Sequence, residues 1–388
     1  MLAAVHGQAD LGPVSAGHRL VYYRASTSVP GSRWYAAWDP DCDPATHTCW
    51  VDDHGNTIRE FDQPGAATHG YALKDILFND GHTCVMRTTN MMIELLSGQP
   101  QITSVSGSAT TGGTCEDYWM HPHLLAQTPL ASTPTTIVVK GPFTIGGHVF
   151  EAMTIATRGG GSSIQHTYDA GSGLMVSFSA RVHGAAAPVI DGGAIQPGAG
   201  NTLVVYQHLI GARAIDARAA AAPLPEHVRQ VNGLSYACGT RLTTPWLAPY
   251  VPPVETPCEV HLQVAARGDS WLLLDGVRRS LHRTTGLTLE DSISDAVAAG
   301  ATLGGYYACP ALLQRLQPGM VLDIDPVTGY RMSVGRVDGT IVEVVEEGVV
   351  ERITRGYDLR SGWLITFASE RDMHGSLWAE YMQLSGVW

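Results

Sequence analysis

The sequence predicts a mainly β protein of two tandem, diverged modules, each a curved antiparallel sheet, unclosed-barrel-like, with short helices against it. Two observations carry this. The chain matches itself at a nearly constant offset, and both halves are β-branched runs separated by Gly-containing turns.

The openings of the halves are alike: Leu20-Val21-Tyr22 precedes Pro30, and Leu234-Ser235-Tyr236 precedes Pro245. Next, Tyr118-Trp119-Met120-His121-Pro122-His123-Leu124-Leu125 has a counterpart in Tyr306-Tyr307-Ala308-Cys309-Pro310-Ala311-Leu312-Leu313. Tyr168-Asp169-Ala170-Gly171-Ser172-Gly173 then matches Tyr357-Asp358-Leu359-Arg360-Ser361-Gly362, and each runs into Ser177-Phe178 or Thr366-Phe367. Both halves finish on Tyr-x-x-Leu-x-Gly, at Tyr206 and at Tyr381. The first copy carries additional residues between Val182 and Asn201, rich in Gly, Ala and Pro. The chain therefore divides into an N-terminal extension 1–16, a first module 17–216, a linker 217–229 and a second module 230–388.

Within the first module, Val149 to Ala156 reads as a strand, Arg158 to Gly161 as a turn, and Ser162 to Asp169 as the return strand before Leu174 to Val182. The second repeats this with Arg331 to Val337, Ile341 to Val345 and Val349 to Thr354 around the turns Asp338-Gly339 and Glu347-Gly348. Pro122 and Pro310 suit the first helical position and open short helices, the second ending by Gly319. Leu289 to Ala298 reads as a further helix, with Glu290 and Asp291 favourable in its first turn.

Composition narrows the class. The chain has 388 residues, a net charge of -12, and only 15% charged residues, so no basic stripe exists to track a phosphate backbone. Nucleic acid is excluded as a partner. No apolar run reaches the roughly 18 residues of a membrane-spanning helix. The first sixteen residues lack Lys, Arg and an apolar block of signal-peptide length, and read as a trimmed start or as a chain without a signal. Of seven cysteines, Cys42 with Cys49, Cys84 with Cys115, and Cys238 with Cys258 are the most economical pairs, leaving Cys309 free. That is one scheme among many, and it places the protein outside the cytoplasm, whether periplasmic, secreted or at the cell surface. Buried free thiols in a cytosolic protein are the alternative.

A short helix followed by an antiparallel meander, with Tyr168, Asp169 and Gly173 before an outgoing strand and again Tyr357, Asp358 and Gly362, resembles the unclosed-barrel fold of bacterial LolA- and LppX-like periplasmic lipoproteins. The resemblance covers about a third of each copy. It implies an incomplete barrel around an apolar cavity, and a lipid as a partner.

Several side-chain groups suggest chemistry. Asp39, Asp41 and Asp43 stand at alternate positions and form the best candidate for structural calcium, although the glycine and distal glutamate of an EF-hand loop are missing. A solvated acidic turn is the plainer reading. His121 and His123 could hold a metal with His82 or His69, but the internal copy has Cys309 and Ala311 there, so helix-entry packing is preferred. No G-x-S-x-G occurs, and Gly159 to Ser162 is a hairpin turn rather than an oxyanion loop. Cys309 could act as a nucleophile only with a depressed pKa; an inert thiol is the safer reading. Asp323 and Asp325 share a strand face, as a glycosidase pair would, while Glu343, Glu346, Glu347 and Glu351 read as a hydrated hairpin face. Trp34, Tyr35, Trp38 and Trp50 gather aromatic surface suited to sugar or peptide stacking, or to ordinary core.

The expectation is an extracytoplasmic, non-catalytic protein that holds an apolar or extended ligand (lipid, glycan or peptide) in a sheet concavity, or serves surface assembly. A secreted hydrolase acting on a polymer between the modules is the alternative, and exposed edge strands leave room for a homo-oligomer. No cofactor is expected beyond the calcium.

Overall fold

A computed structural model describes residues 14–29, 37–38, 48–51, 57–60, 66–94, 97–159, 162–183, 202–215, 223–244, 253–281, 288–299, 303–373 and 375–388. The first half contains β1 (His18–Val29), β2 (Ala37–Trp38), β3 (Thr48–Val51), β4 (Thr57–Glu60), β5 (Ala66–Asn79), β6 (Thr83–Ile93) and β7 (Pro100–Thr111). It continues through β8 (Thr114–Cys115), β9 (Trp119–Met120), α1 (Pro122–Gln127), β10 (Ala131–Ser132), β11 (Thr136–Ile145), β12 (His148–Gly159), β13 (Ser162–Asp169), β14 (Met175–His183) and β15 (Thr202–Ala214). After α2 (Glu226–Arg229) come β16 (Gly233–Thr243), β17 (Val254–Arg267), β18 (Trp271–Leu281), β19 (Thr288–Ala298) and α3 (Pro310–Leu313). The chain closes with β20 (Val321–Ile324), β21 (Arg331–Asp338), β22 (Ile341–Glu347), β23 (Glu351–Asp358), β24 (Leu364–Met373) and β25 (Ser376–Val387).

These strands build two ten-stranded antiparallel sheets, ordered β10-β11-β12-β13-β14-β15-β1-β5-β6-β7 and β20-β21-β22-β23-β24-β25-β16-β17-β18-β19. The connectivity is the same, strand for strand, and neither sheet closes on itself. Their irregularities coincide as well. The register shifts between Val21 and Tyr22 where β1 meets β15, and between Ser235 and Tyr236 where β16 meets β25. It shifts again at Thr167/Tyr168 and at Gly356/Tyr357. A bulge adds a residue and sharpens the local bend, so shared bulges give the sheets shared curvature.

The Tyr-Asp-x-x-Ser-Gly segments explain themselves in this frame. Asp169 Oδ2 accepts from the Ser172 amide (2.8 Å) and hydroxyl (2.6 Å), and Asp358 does the same with Ser361 (2.7 and 2.6 Å). The turn ends on Gly173 or Gly362, at φ +76° and +80°, where a Cβ would strike the carbonyl of Met120 or Ala308. Only glycine tolerates both the backbone angle and the close approach. The turn thereby pins the segment before each helix to the outgoing strand, through the bridges Trp119–Leu174 and Tyr307–Trp363. Pro122 and Pro310 occupy the first turn of α1 and α3. The second helix stops at Leu313, earlier than Gly319, which instead turns at φ +80° ahead of β20.

One expected element is different. Residues 289–298 form β19, paired with β18 along its whole length, rather than a helix. Leu289, Ile293 and Val297 recur every fourth position, a spacing that a helix face and a strand face share. The neighbouring strand decides between them. A second correction concerns Glu351, which is 4% exposed and bonded to Arg371 and Tyr330 rather than hydrated.

Each lobe has its own core: Leu20, Tyr22, Ile76, Met86, Trp119 and Leu174 anchor one, and Leu234, Tyr236, Leu262, Tyr307, Tyr357 and Trp363 the other. Burying side chains of this size contributes about 1.5–3 kcal/mol each. Cys84–Cys115 and Cys238–Cys258 are disulfides, and Cys309 is a free thiol. Smaller apolar clusters join the lobes, Leu77 and Val85 against Ala296 and Ala298, and Val21, Leu73 and Met91 against Tyr330.

Candidate functional site

The lobes meet along a line of buried ions. Arg87 donates to both oxygens of Asp295 (2.7 and 3.3 Å) and to the Ala296 carbonyl (3.0 Å). Arg213 holds Asp323 through two bonds of 2.7 Å and reaches Asp325 at 3.2 Å, with Arg19 3.5–3.6 Å from the same acids. Burial would raise the Asp325 carboxyl, but Arg19, the Thr328 amide and Arg213 outweigh it and hold the carboxyl below its ordinary range. Arg371 and Glu351 add a third contact, each bonded to the Ile102 backbone of the first lobe. Unpaired, any of these charges would be costly in so dry a place.

Beside this seam the second sheet leaves a cavity of about 190 Å³. Val260, Ile293, Leu364, Phe367 and Met382 form its apolar wall, Val105 of β7 closes it from the first lobe, and Asp295, Gly304, Gly305 and Tyr306 form its floor. The floor is tightly built. Tyr306 donates its amide to Asp295 (2.9 Å), the Tyr357 hydroxyl donates to the Gly305 carbonyl (2.9 Å), and a Cβ on Gly305 would strike the Arg87 guanidinium. Within the apolar wall stand Arg278 and Glu380, paired at 2.6 Å, and Arg355, paired to Glu346 at 2.9 Å. Burial pushes the Glu380 carboxyl above its ordinary range, against the pull of Arg278 and Arg371. Burial likewise pushes the Tyr306 phenol up, with Asp295 and Glu380 adding to the effect. Leu242, Val254 and Leu289, each at least 41% exposed, share the inward face of their strands with Tyr236, Val260 and Ile293.

In the first lobe a buried lysine stands on the strand that corresponds to β17. Lys74, fully buried on β5, places its ammonium 3.7 Å from the centroid of the Tyr118 ring and donates to Thr88 (2.9 Å), with Glu116 at 3.7 Å. Tyr118 in turn donates to Gln207 (3.2 Å).

The residues singled out from sequence distribute differently. Asp39, Asp41, Asp43, Trp34, Tyr35 and Cys42 lie outside the described residues; Trp38, Cys49 and Trp50 belong to strands whose side chains lie outside them. His121 caps α1, accepting from the His123 amide (3.1 Å), while His123 bonds to Gln127 (2.9 Å). His69 bonds to Tyr23 instead. Among the described residues no three His, Cys, Asp or Glu side chains gather to hold a metal. Asp323 and Asp325 are bound to Arg213 and do not face each other across a cleft. Arg278, Arg355 and Glu380 escaped the sequence reading. The available signal was a charged residue at an inward position of an otherwise apolar strand face, visible only once register is known.

No family model matches the chain, and no curated protein matches its sequence. Among solved structures, intact Ap-TbpB with its N and C lobes aligns over 96% of this chain and 79% of that one, at 6% identity and a TM-score of 0.15. A likeness that slight carries no functional argument. None of these comparisons shows the LolA- and LppX-like resemblance, which rests on the turn motif and the helix-then-meander pattern of the sequence. No helix of the described residues is long and apolar enough to cross a membrane.

Proposed function

We propose that this chain is an extracytoplasmic, non-catalytic binding protein that holds a small, partly apolar ligand in the hollow of its second sheet. The observation that carries the reading is the cavity itself, whose apolar wall of Val260, Ile293, Leu364, Phe367 and Met382 stands beside Arg278, Arg355 and Glu380. Such sites bind by burial and use the few polar groups for orientation. Its volume of about 190 Å³ lies below the roughly 300–1,000 Å³ of sites for drug-sized ligands. A short ligand, or one end of an extended one, therefore fits better than a long acyl chain. The two disulfides support an oxidising compartment. The common strand order and bulges support two copies of one unit, 17–216 and 230–388, joined by 217–229. Among the described residues, Asp295, Asp323, Asp325, Glu351 and Glu380 are each paired to an arginine.

The test is methyl-detected NMR of the full chain, titrated with hexan-1-ol, hexanoate and hexylamine. Methyl signals of Val260, Ile293, Leu364 and Met382 are expected to shift saturably. No shift at these methyls with any of the three up to about 10 mM, weaker than a working site needs, overturns the reading.

A further inference from the structure

Resting on that reading, we propose that the cavity takes a small zwitterion with a short apolar side chain, of the class of a free α-amino acid. The wall carries both signs of charge. Arg278 and Glu380 meet at 2.6 Å inside otherwise apolar surroundings, with Arg355 beside them. The remaining acid of the lining, Asp295, is already committed to Arg87 and to the Ala296 and Tyr306 amides.

Charge balance separates the ligand classes. The pair is only 22% and 14% exposed, so an anion on Arg278 weakens the hold on the Glu380 carboxylate and a cation on Glu380 weakens the hold on the guanidinium, each at a desolvation cost. A zwitterion inserts into the pair, its carboxylate on Arg278 and Arg355 and its ammonium on Glu380. Each of these charges then keeps an opposite partner. The apolar side chain replaces water against Ile293, Phe367 and Met382. The limited volume, about 190 Å³, excludes large side chains.

The experiment adds norleucine to the same NMR titration, since it joins the hexanoate chain to an ammonium. Norleucine is expected to bind at least about tenfold more tightly than hexanoate, hexylamine or hexan-1-ol. Hexanoate or hexylamine binding as tightly marks a site for a single charge and overturns the inference, as does equally tight hexan-1-ol. In those cases the cavity still binds, so the broader reading survives; silence from all four probes sinks both. The double variant Arg278→Met, Glu380→Met exchanges the pair for apolar side chains. It is expected to keep hexan-1-ol binding and lose the norleucine preference, and a preserved preference overturns the assignment. Should that variant not fold, Glu380→Gln keeps the side-chain shape and is expected to abolish the preference over hexanoate, its retention having the same meaning.

Discussion

Tyr118 in the first lobe and Tyr306 in the second occupy the same place, one residue before the bridge that ties the short helix to the outgoing strand. Their surroundings differ. Around Tyr118 a buried lysine covers the ring, and Thr88 and Gln207 complete a polar cluster. Around Tyr306 the position facing Leu234 is Leu262, where the first lobe has Lys74 facing Leu20. The cations come instead from Arg278 and Arg355, on other strands, and space is left between them. The comparison teaches where such a sheet can vary. Turns and bulges recur in both sheets, so inward residues can differ in charge and position without a change of strand order.

The largest expected effect breaks the partnership between the lobes. Arg87→Ala leaves Asp295 buried without its cation and is expected to cost about 3–5 kcal/mol, read as the fall in unfolding free energy in urea. A loss below about 1 kcal/mol, the scale of an exposed pair, would show that the lobes stand independently. Next come the two disulfides, which span 31 and 20 residues. Loop-closure entropy assigns about 3.7 and 3.3 kcal/mol to them, so Cys84→Ala/Cys115→Ala and Cys238→Ala/Cys258→Ala variants are expected to lose similar stability in thermal unfolding. A large disparity would mean that one bridge does more than shorten the unfolded chain. The smallest effect tests equivalence most finely. Tyr22 donates to the Met175 carbonyl (2.9 Å) and Tyr236 to the Leu364 carbonyl (3.1 Å). Tyr22→Phe and Tyr236→Phe are each expected to cost about 1–2 kcal/mol, and unequal losses in chemical denaturation would separate lobes that look alike.

Much of this architecture was readable before any coordinates. Tyr-Asp-x-x-Ser-Gly announces a turn because its serine, aspartate and glycine satisfy that turn locally. Pro122 and Pro310 announce helix starts for an equally local reason. Residues 289–298 were misread because local spacing is silent about the strand beside them. Glu351 was misread because the Arg371 that neutralises it lies twenty residues away in sequence.

The sequence by itself determined the β class, the two-fold plan and the turns, because these rest on backbone preferences and side-chain spacing within a few residues. Tertiary structure alone decided that Arg278 and Glu380 would meet, that Arg87 would fasten one lobe to the other, and that Lys74 would cover the Tyr118 ring. Those outcomes depend on strand register and sheet curvature, which bring together residues whose separation along the chain carries no trace of their contact.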